Sequence, residues 1–352
     1  MTSAFRLALT ADFFDEAGNA KFADLGTSLL EEHPHIRLSK LPEFRPTISA
    51  DQLADSHGVI VLTPKVTAES VTGCDDLLAI GRFGVGYDSV DVEGCTAQDV
   101  LVMITTGAVD RPVAEATIGW MIALTHHMFV KDRLVRTGQW NDRTNYMGCE
   151  LRDRTLGVIG LGGIGRTLVS LLKGFGMRPP IAFDPFAPAE VFDESGVRSV
   201  PFDELLATSD FVSIHCPLTE ETRGLIGEKE LRQMKQGAYL INTARGGIVD
   251  EEALFDALQS GQLAGAALDC FEIEPVTEPH PMGELENVLL APHSIAWTNE
   301  LFRDIGRTAC QSMLDLSLGR SPHGVVNHEL LEKASFREKW SRVTGIPVES
   351  LK

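Results

Sequence analysis

The 352-residue chain is short of positive charge: 31 Lys and Arg stand against 50 Asp and Glu, a formal net charge of −19. Nucleic acid and anionic membrane surfaces both require clustered cations, so neither is expected as a partner. An anionic substrate would need a local cationic pocket inside this acidic protein. Long apolar runs are also lacking. The most apolar window, ATIGWMIAL at residues 116–124, is far below the roughly 20 residues of a spanning helix. The first residues, MTSAFRLALTADFF, hold one Arg and an apolar stretch too short for a signal sequence. Cysteine is sparse and scattered: Cys74, Cys95, Cys149, Cys216, Cys270 and Cys310 form no CxxC and no metal spacing. This argues against a disulfide scaffold and a metal centre, and for a reducing cytoplasm. No internal repeat is evident, which excludes a solenoid.

What the chain does have is alternation. Short β-rich runs and helical patterns follow one another throughout, as in parallel sheets covered by helices. In the first third the expected strands are RLALT, HIRLSKL, GVIVLT, LLAIGRF and VLVMITT. A long helix is expected over 112–137, opened by Asp110 and Pro112 and closed by Gly138. The polar stretch after it, with Trp140 inside, reads as a surface arm. From Thr155 a second set begins: LGVIGL, PIAFD, DFVSIHC, GAYLINT, AGAALDC and NVLLAP. A helix over about 297–316 leads back.

Gly160-Leu161-Gly162-Gly163-Ile164-Gly165 has the form G-x-G-x-x-G. In a chain with 32 glycines such a pattern alone is weak, but here it directly follows an apolar strand and opens a helical run. Gly160 permits the tight turn, Gly162 lets backbone approach a pyrophosphate, and Gly165 lets helix pack on strand. The helix N-terminus faces the negative charge with free N–H groups. Asp184 ends the next strand, where a carboxylate receives ribose hydroxyls and repels a 2′-phosphate, which selects NAD over NADP. The expected fold is therefore α/β with two doubly wound parallel sheets. A Rossmann NAD-binding domain at 111–317, linking helices included, is inserted into a flavodoxin-like substrate domain at 1–110 and 318–352.

Three polar residues fall at the ends of later strands. Arg245 follows AYLINTA, Glu274 comes shortly after GAALDC, and His293 follows NVLLAP. Ligands bind outside those strand ends, so the three should converge on one crevice. Reducing a carbonyl needs an acid for the oxygen, a histidine's usual task. A carboxylate on the other ring nitrogen fixes the tautomer and stabilises the imidazolium. An arginine clamps a substrate carboxylate through paired hydrogen bonds. Singly each has a plain structural reading, as salt bridge, solvated loop acid or capping group. Together, beside a dinucleotide loop, they describe 2-oxo acid reduction or its reverse.

Over about residues 58–327 the sequence resembles the D-isomer-specific 2-hydroxyacid dehydrogenase family. The matching stretches are GRFGVGYDSVD, VAEATIGWMIAL, LRDRTLGVIGLGGIGRTL, VSIHCPLTEETRGLI, LINTARGGIVDEEAL, ALDCFEIEP and APHS. The resemblance implies that Arg245 binds substrate and that Glu274 pairs with the catalytic His293. It places cofactor contacts on Gly163, Ile164, Asp184, Cys216, Pro217, Thr243, Ala244 and Asp269. It sets Val85 and Gly86 in the loop whose backbone N–H groups hold the substrate carboxylate. It reads His215 as cofactor-side architecture; His126 and His127 fall inside the expected long helix and read as structural residues. It also implies a homodimer through the cofactor domain. Lys65, Arg82 and Arg111 are candidate cations for a second anionic group, and Trp297 is a candidate for shaping the pocket. Leu62 stands where the phosphoglycerate dehydrogenase branch places an arginine, which favours glyoxylate, hydroxypyruvate or a sugar-derived acid over a phosphorylated one. Glu274 argues against the formate dehydrogenase branch, which places glutamine there. An NAD-sensing corepressor-type binding protein is the alternative of another class.

Overall fold

Apolar runs with little polar alternation become parallel strands buried on both faces. The computed structural model describes residues 4–351. Its contacts divide the chain into two units, one of 1–109 with 297–352 and one of 110–296.

In the first unit, β1 (Phe5–Leu9), β2 (Ile36–Lys40), β3 (Gly58–Val61), β4 (Ala79–Arg82) and β5 (Leu101–Met103) form a parallel sheet in the order β2-β1-β3-β4-β5. This is the flavodoxin-like order. Residues of β3 and β5 are all buried, while edge strand β2 is mostly exposed. The helix Asn299–Ser317 covers this sheet and opens at Thr298, whose hydroxyl accepts the Leu301 N–H at 3.0 Å. Its Met313 lies so close to Gly58 and Gly81 that a Cβ on either would sit 2.8 Å from it. The return to the first unit therefore falls at Ala296/Trp297, before this helix, and not at the expected 317/318. The tail is tied in by Asn327, whose Oδ1 accepts the Val102 N–H at 2.8 Å, and by Trp340, whose indole donates to Leu316 O at 2.8 Å.

The second unit holds β6 (Leu156–Ile159), β7 (Ile181–Phe183), β8 (Arg198–Ser199), β9 (Phe211–Ile214), β10 (Ala238–Asn242), β11 (Leu263–Leu268) and β12 (Val288–Leu290). They form one parallel sheet in the order β12-β11-β10-β9-β6-β7-β8. Alternate residues feed two cores. Val212, Leu240 and Ala266 face one side, and Val158, Ile241 and Ala267 the other. Strand order reverses between β6 and β9, and a doubly wound sheet binds its ligand at that switch point. Two expectations are corrected here. The six strands read from sequence are joined by β8, whose two exposed residues carry no apolar signal. The single long helix is two, Asp110–Thr125 and Met128–Arg136, because His127 adopts a left-handed φ of 51° between them. His126 and His127 thus mark a break in the helix. No described helix is long and apolar enough to cross a membrane.

Candidate active site

The glycine loop follows β6, and its glycines differ in what surrounds them. Gly160 has φ +89°, and a Cβ there would lie 2.8 Å from the backbone N of Cys216. A Cβ on Gly165 would lie 2.5 Å from Gly160 O, so these two permit close packing within the fold. Gly162, the N-cap of helix Gly163–Leu171, has nothing within 4 Å of its Cβ position among the described residues. That open face is the cradle a pyrophosphate needs before free helix N–H groups. Gly163 has a reason that spacing did not reveal. The Asp110 carboxylate packs against it, and a Cβ would meet Oδ2 at 2.1 Å. Burial raises the pKa of Asp110, with the Arg166 charge opposing.

Asp184 follows β7 and is fixed on both oxygens. Oδ2 accepts the Leu161 N–H at 2.8 Å, and Oδ1 accepts those of Phe186 and Ala187 at 3.0 and 3.1 Å. Each carboxylate oxygen retains acceptor capacity, so ribose hydroxyls can still be received. Past β9 come His215, Cys216 and Pro217. His215 Nε2 meets Ser213 Oγ at 2.8 Å, and burial pushes the imidazole down to about 4. It is neutral near pH 7 and unsuited to supplying a proton. Burial pushes the Cys216 thiol up to about 11. Past β10, Ala244 N donates to Asn242 Oδ1 at 3.0 Å. Thr243 Oγ1 and His215 Nδ1 are buried without a hydrogen-bond partner among the described residues. Orphaned polar atoms at the ends of the two strands next to the open glycine face suit a polar dinucleotide.

His293 lies just past β12 with a left-handed φ of 50°, uncommon for a residue with a side chain. Buried Asp269 holds the turn: its Oδ1 accepts the N–H of Ser294 at 2.8 Å and of Ile295 at 3.0 Å. Burial raises the Asp269 pKa, and the two N–H groups oppose that rise. The structure thus gives Asp269 a task the sequence did not reveal, holding the backbone of the histidine loop. His293 Nδ1 sits 2.8 Å from Glu274 Oε2, and Glu274 Oε1 accepts the Phe271 N–H at 2.9 Å. Because an ionised carboxylate only accepts, Nδ1 carries the hydrogen and Nε2 is left for substrate.

Burial works against ionisation of Glu274, but hydrogen bonds from His293 and Phe271 and the charges of His293 and Arg245 outweigh it, so its pKa is lowered. A depressed carboxyl stabilises the fold above its unfolded pKa and loses that contribution as pH falls through its folded value. Glu274→Gln should therefore narrow the gap in stability between pH 7 and pH 3, measured by thermal unfolding. An unchanged gap would contradict the assigned pairing.

Arg245 follows β10, with Nη1 donating to Ala244 O at 2.6 Å and its own carbonyl accepting from Asn242 Nδ2 at 2.8 Å. Its charge acts on Glu274, so the second unit brings Arg245, Glu274 and His293 into one electrostatic neighbourhood. A second pair, His280 Nε2 to Glu251 Oε2 at 3.1 Å, anchors the segment that carries Glu274, and the His280 ring packs 4.9 Å from that of Phe271. No sequence motif marked it.

Val85 and Gly86 belong to the first unit and follow β4. Gly84 O accepts the Thr105 N–H at 3.0 Å, and a Cβ on Gly84 would lie 3.3 Å from the Arg82 guanidinium. Lys65 is exposed. Arg111 pairs with Glu115 at 2.7 Å on an exposed helix turn. Trp297 is 58% exposed and belongs to the first unit.

A flavodoxin-like sheet, a dinucleotide-type sheet with an open glycine face, and a histidine–carboxylate pair beside an arginine define a nucleotide-dependent dehydrogenase. The family model for the D-isomer specific 2-hydroxyacid dehydrogenase NAD binding domain matches residues 118–294. A glyoxylate reductase of Korarchaeum cryptofilum is 36% identical over 87% of this chain and 94% of its own length. A D-3-phosphoglycerate dehydrogenase of Archaeoglobus fulgidus is 39% identical over 77% of this chain, which spans about half (51%) of that longer protein. A glyoxylate reductase structure from Paecilomyes thermophila superposes with a TM-score of 0.79 at 29% identity, covering 94% of this chain and 100% of that one. The chain belongs to the D-isomer-specific 2-hydroxyacid dehydrogenase family and is an NAD-dependent oxidoreductase of that family.

Proposed function

We propose that the protein reduces small 2-oxo acids of the glyoxylate and hydroxypyruvate type to 2-hydroxy acids, of D configuration where C2 is a stereocentre, or runs the reverse reaction. The observation that carries this reading is the 2.8 Å contact between His293 and Glu274 within reach of the Arg245 charge. Arg245 clamps the substrate carboxylate, and the backbone N–H groups of Val85 and Gly86 hold it as well. His293 gives the Nε2 proton to the carbonyl oxygen as C2 is reduced, while Glu274 stabilises the imidazolium and fixes the ring. Bound NADH supplies the hydride. Gly160, Gly162, Gly163, Ile164 and Gly165 would cradle its pyrophosphate and Asp184 its ribose hydroxyls, with His215, Cys216, Pro217, Thr243, Ala244 and Asp269 lining the rest. A glyoxylate-type substrate is favoured by a relative matched over 94% of its own length, and by Leu62 just past β3.

The reading is tested by a panel of 2-oxo acids with NADH and NADPH. NADH oxidation with glyoxylate or hydroxypyruvate is expected, and no oxidation across the panel would favour an NAD-sensing binding protein. Asp184→Ala should raise kcat/KM with NADPH relative to NADH, since the repelling carboxylate is gone. An unchanged ratio would remove Asp184 from cofactor selection.

We propose also that the protein forms a homodimer through the second unit. Phe129, Val135, Trp140 and Met147 are exposed on or after the helix Met128–Arg136, apolar side chains that a second copy could cover. Six free thiols and the acidic surface suit a cytoplasmic protein that binds neither nucleic acid nor membrane.

A further inference from the structure

Asp110 opens the helix Asp110–Thr125, and an acid in a first helical turn ordinarily serves that turn by accepting its free N–H groups. Asp110 does not. Among the described residues no group donates a hydrogen bond to its carboxylate. The side chain crosses instead to the helix Gly163–Leu171 and rests on Gly163, where a Cβ would lie 2.1 Å from Oδ2 and 2.6 Å from Cγ and Oδ1. Gly163 is the first residue of that helix, and the open face of Gly162 adjoins it. A half-buried carboxylate without hydrogen bonds thus stands at a helix N-terminus. Free N–H groups and the positive end of the helix dipole favour an anion there.

Positive charge on this helix is sparse. Arg166 is its one ionisable residue, and Arg166 Nε donates to Gly162 O at 3.3 Å. The Arg166 charge favours ionisation of Asp110, while burial works against it. On the acid's own helix, Arg111 is paired with Glu115 on an exposed turn. An ionised Asp110 therefore cancels the one cation that the helix offers, beside the loop read as receiving a doubly charged pyrophosphate. We infer that Asp110 is a built-in competitor at the pyrophosphate site, and that its carboxylate weakens the binding of NAD and NADH and speeds their exchange. The inference deepens the reading of Gly162 to Gly165 as the pyrophosphate cradle and rests on it. A resident anion opposes an incoming one through charge, so its effect falls on ligands that carry phosphate and shrinks as salt is added.

The test is the dissociation constant of NADH, by fluorescence titration, and those of ADP-ribose and adenosine, by competition with NADH. It compares the unmodified protein with Asp110→Asn and Asp110→Ser. Asparagine keeps the size of the side chain, and serine can cap the helix Asp110–Thr125 without a charge. Both variants should bind NADH and ADP-ribose roughly tenfold more tightly at low ionic strength, with adenosine unchanged. Dissociation of NADH, followed by stopped flow, should slow in step. The gain should largely vanish in about 1 M salt. Unchanged or weaker binding of NADH and ADP-ribose would overturn the inference and leave the cradle standing, with Asp110 a support for Arg166 or for its own helix. An equal gain for adenosine, which carries no phosphate, would overturn it as well. Failure of the unmodified protein to bind ADP-ribose would defeat the cradle reading and the inference with it.

Discussion

Replacing His293 with alanine is expected to lower kcat for 2-oxo acid reduction by roughly 10²–10⁴, the usual worth of a positioned general acid. The geometry explains why no neighbour can substitute. His215, which also follows a strand of the second unit, is buried, pushed down to about 4, and engaged with Ser213. His280 is committed to Glu251. NADH binding, followed by fluorescence, should change little in the variant, since the glycine loop and Asp184 are built on other strands. Glu274→Gln should lower kcat as well. The double variant should lose little beyond His293→Ala, because the carboxylate acts only through the ring it holds. Near-normal turnover in His293→Ala would remove the residue from the mechanism.

Arg245→Leu is the second large effect. A guanidinium paired with a carboxylate makes two charge-assisted hydrogen bonds, each worth about 1.5–3 kcal/mol. Losing them should reduce kcat/KM by roughly 10²–10⁴, with a strong rise in KM. The fork is already oriented in the protein, since one guanidinium nitrogen is tied to Ala244 O at 2.6 Å. Lysine would restore the charge and not the paired geometry, so Arg245→Lys should recover only part of the loss. Full activity in Arg245→Lys would mean that charge alone matters there, and an unchanged KM in Arg245→Leu would place the clamp elsewhere.

The parallel strands were legible because burial on both faces leaves apolar runs that need no context, as in GVIVLT and GAYLINT. Strand β8 was not, since Arg198 and Ser199 are exposed at a sheet edge and carry no such run. The break between Thr125 and Met128 escaped for a different reason. His127 adopts a left-handed conformation without the glycine or proline that usually announces one. The site divides in the same way. The glycine loop, Asp184 and the order Arg245, Glu274, His293 could be read because topology places strand ends side by side, and the Glu274–His293 contact followed. Asp110 against Gly163 and Asp269 beneath the histidine turn depend on groups meeting across long sequence separations. Periodicity carries no trace of such contacts, and the return junction at Ala296 depends likewise on Met313 packing against two distant glycines.

The central claim is that this chain adds hydride to one face of a 2-oxo acid while His293, held by Glu274, protonates the oxygen. Its most direct test is chiral analysis of the product formed from hydroxypyruvate and NADH by the purified protein. The account predicts D-glycerate alone, formed in step with NADH consumption. L-glycerate, a racemate, or no product would contradict it.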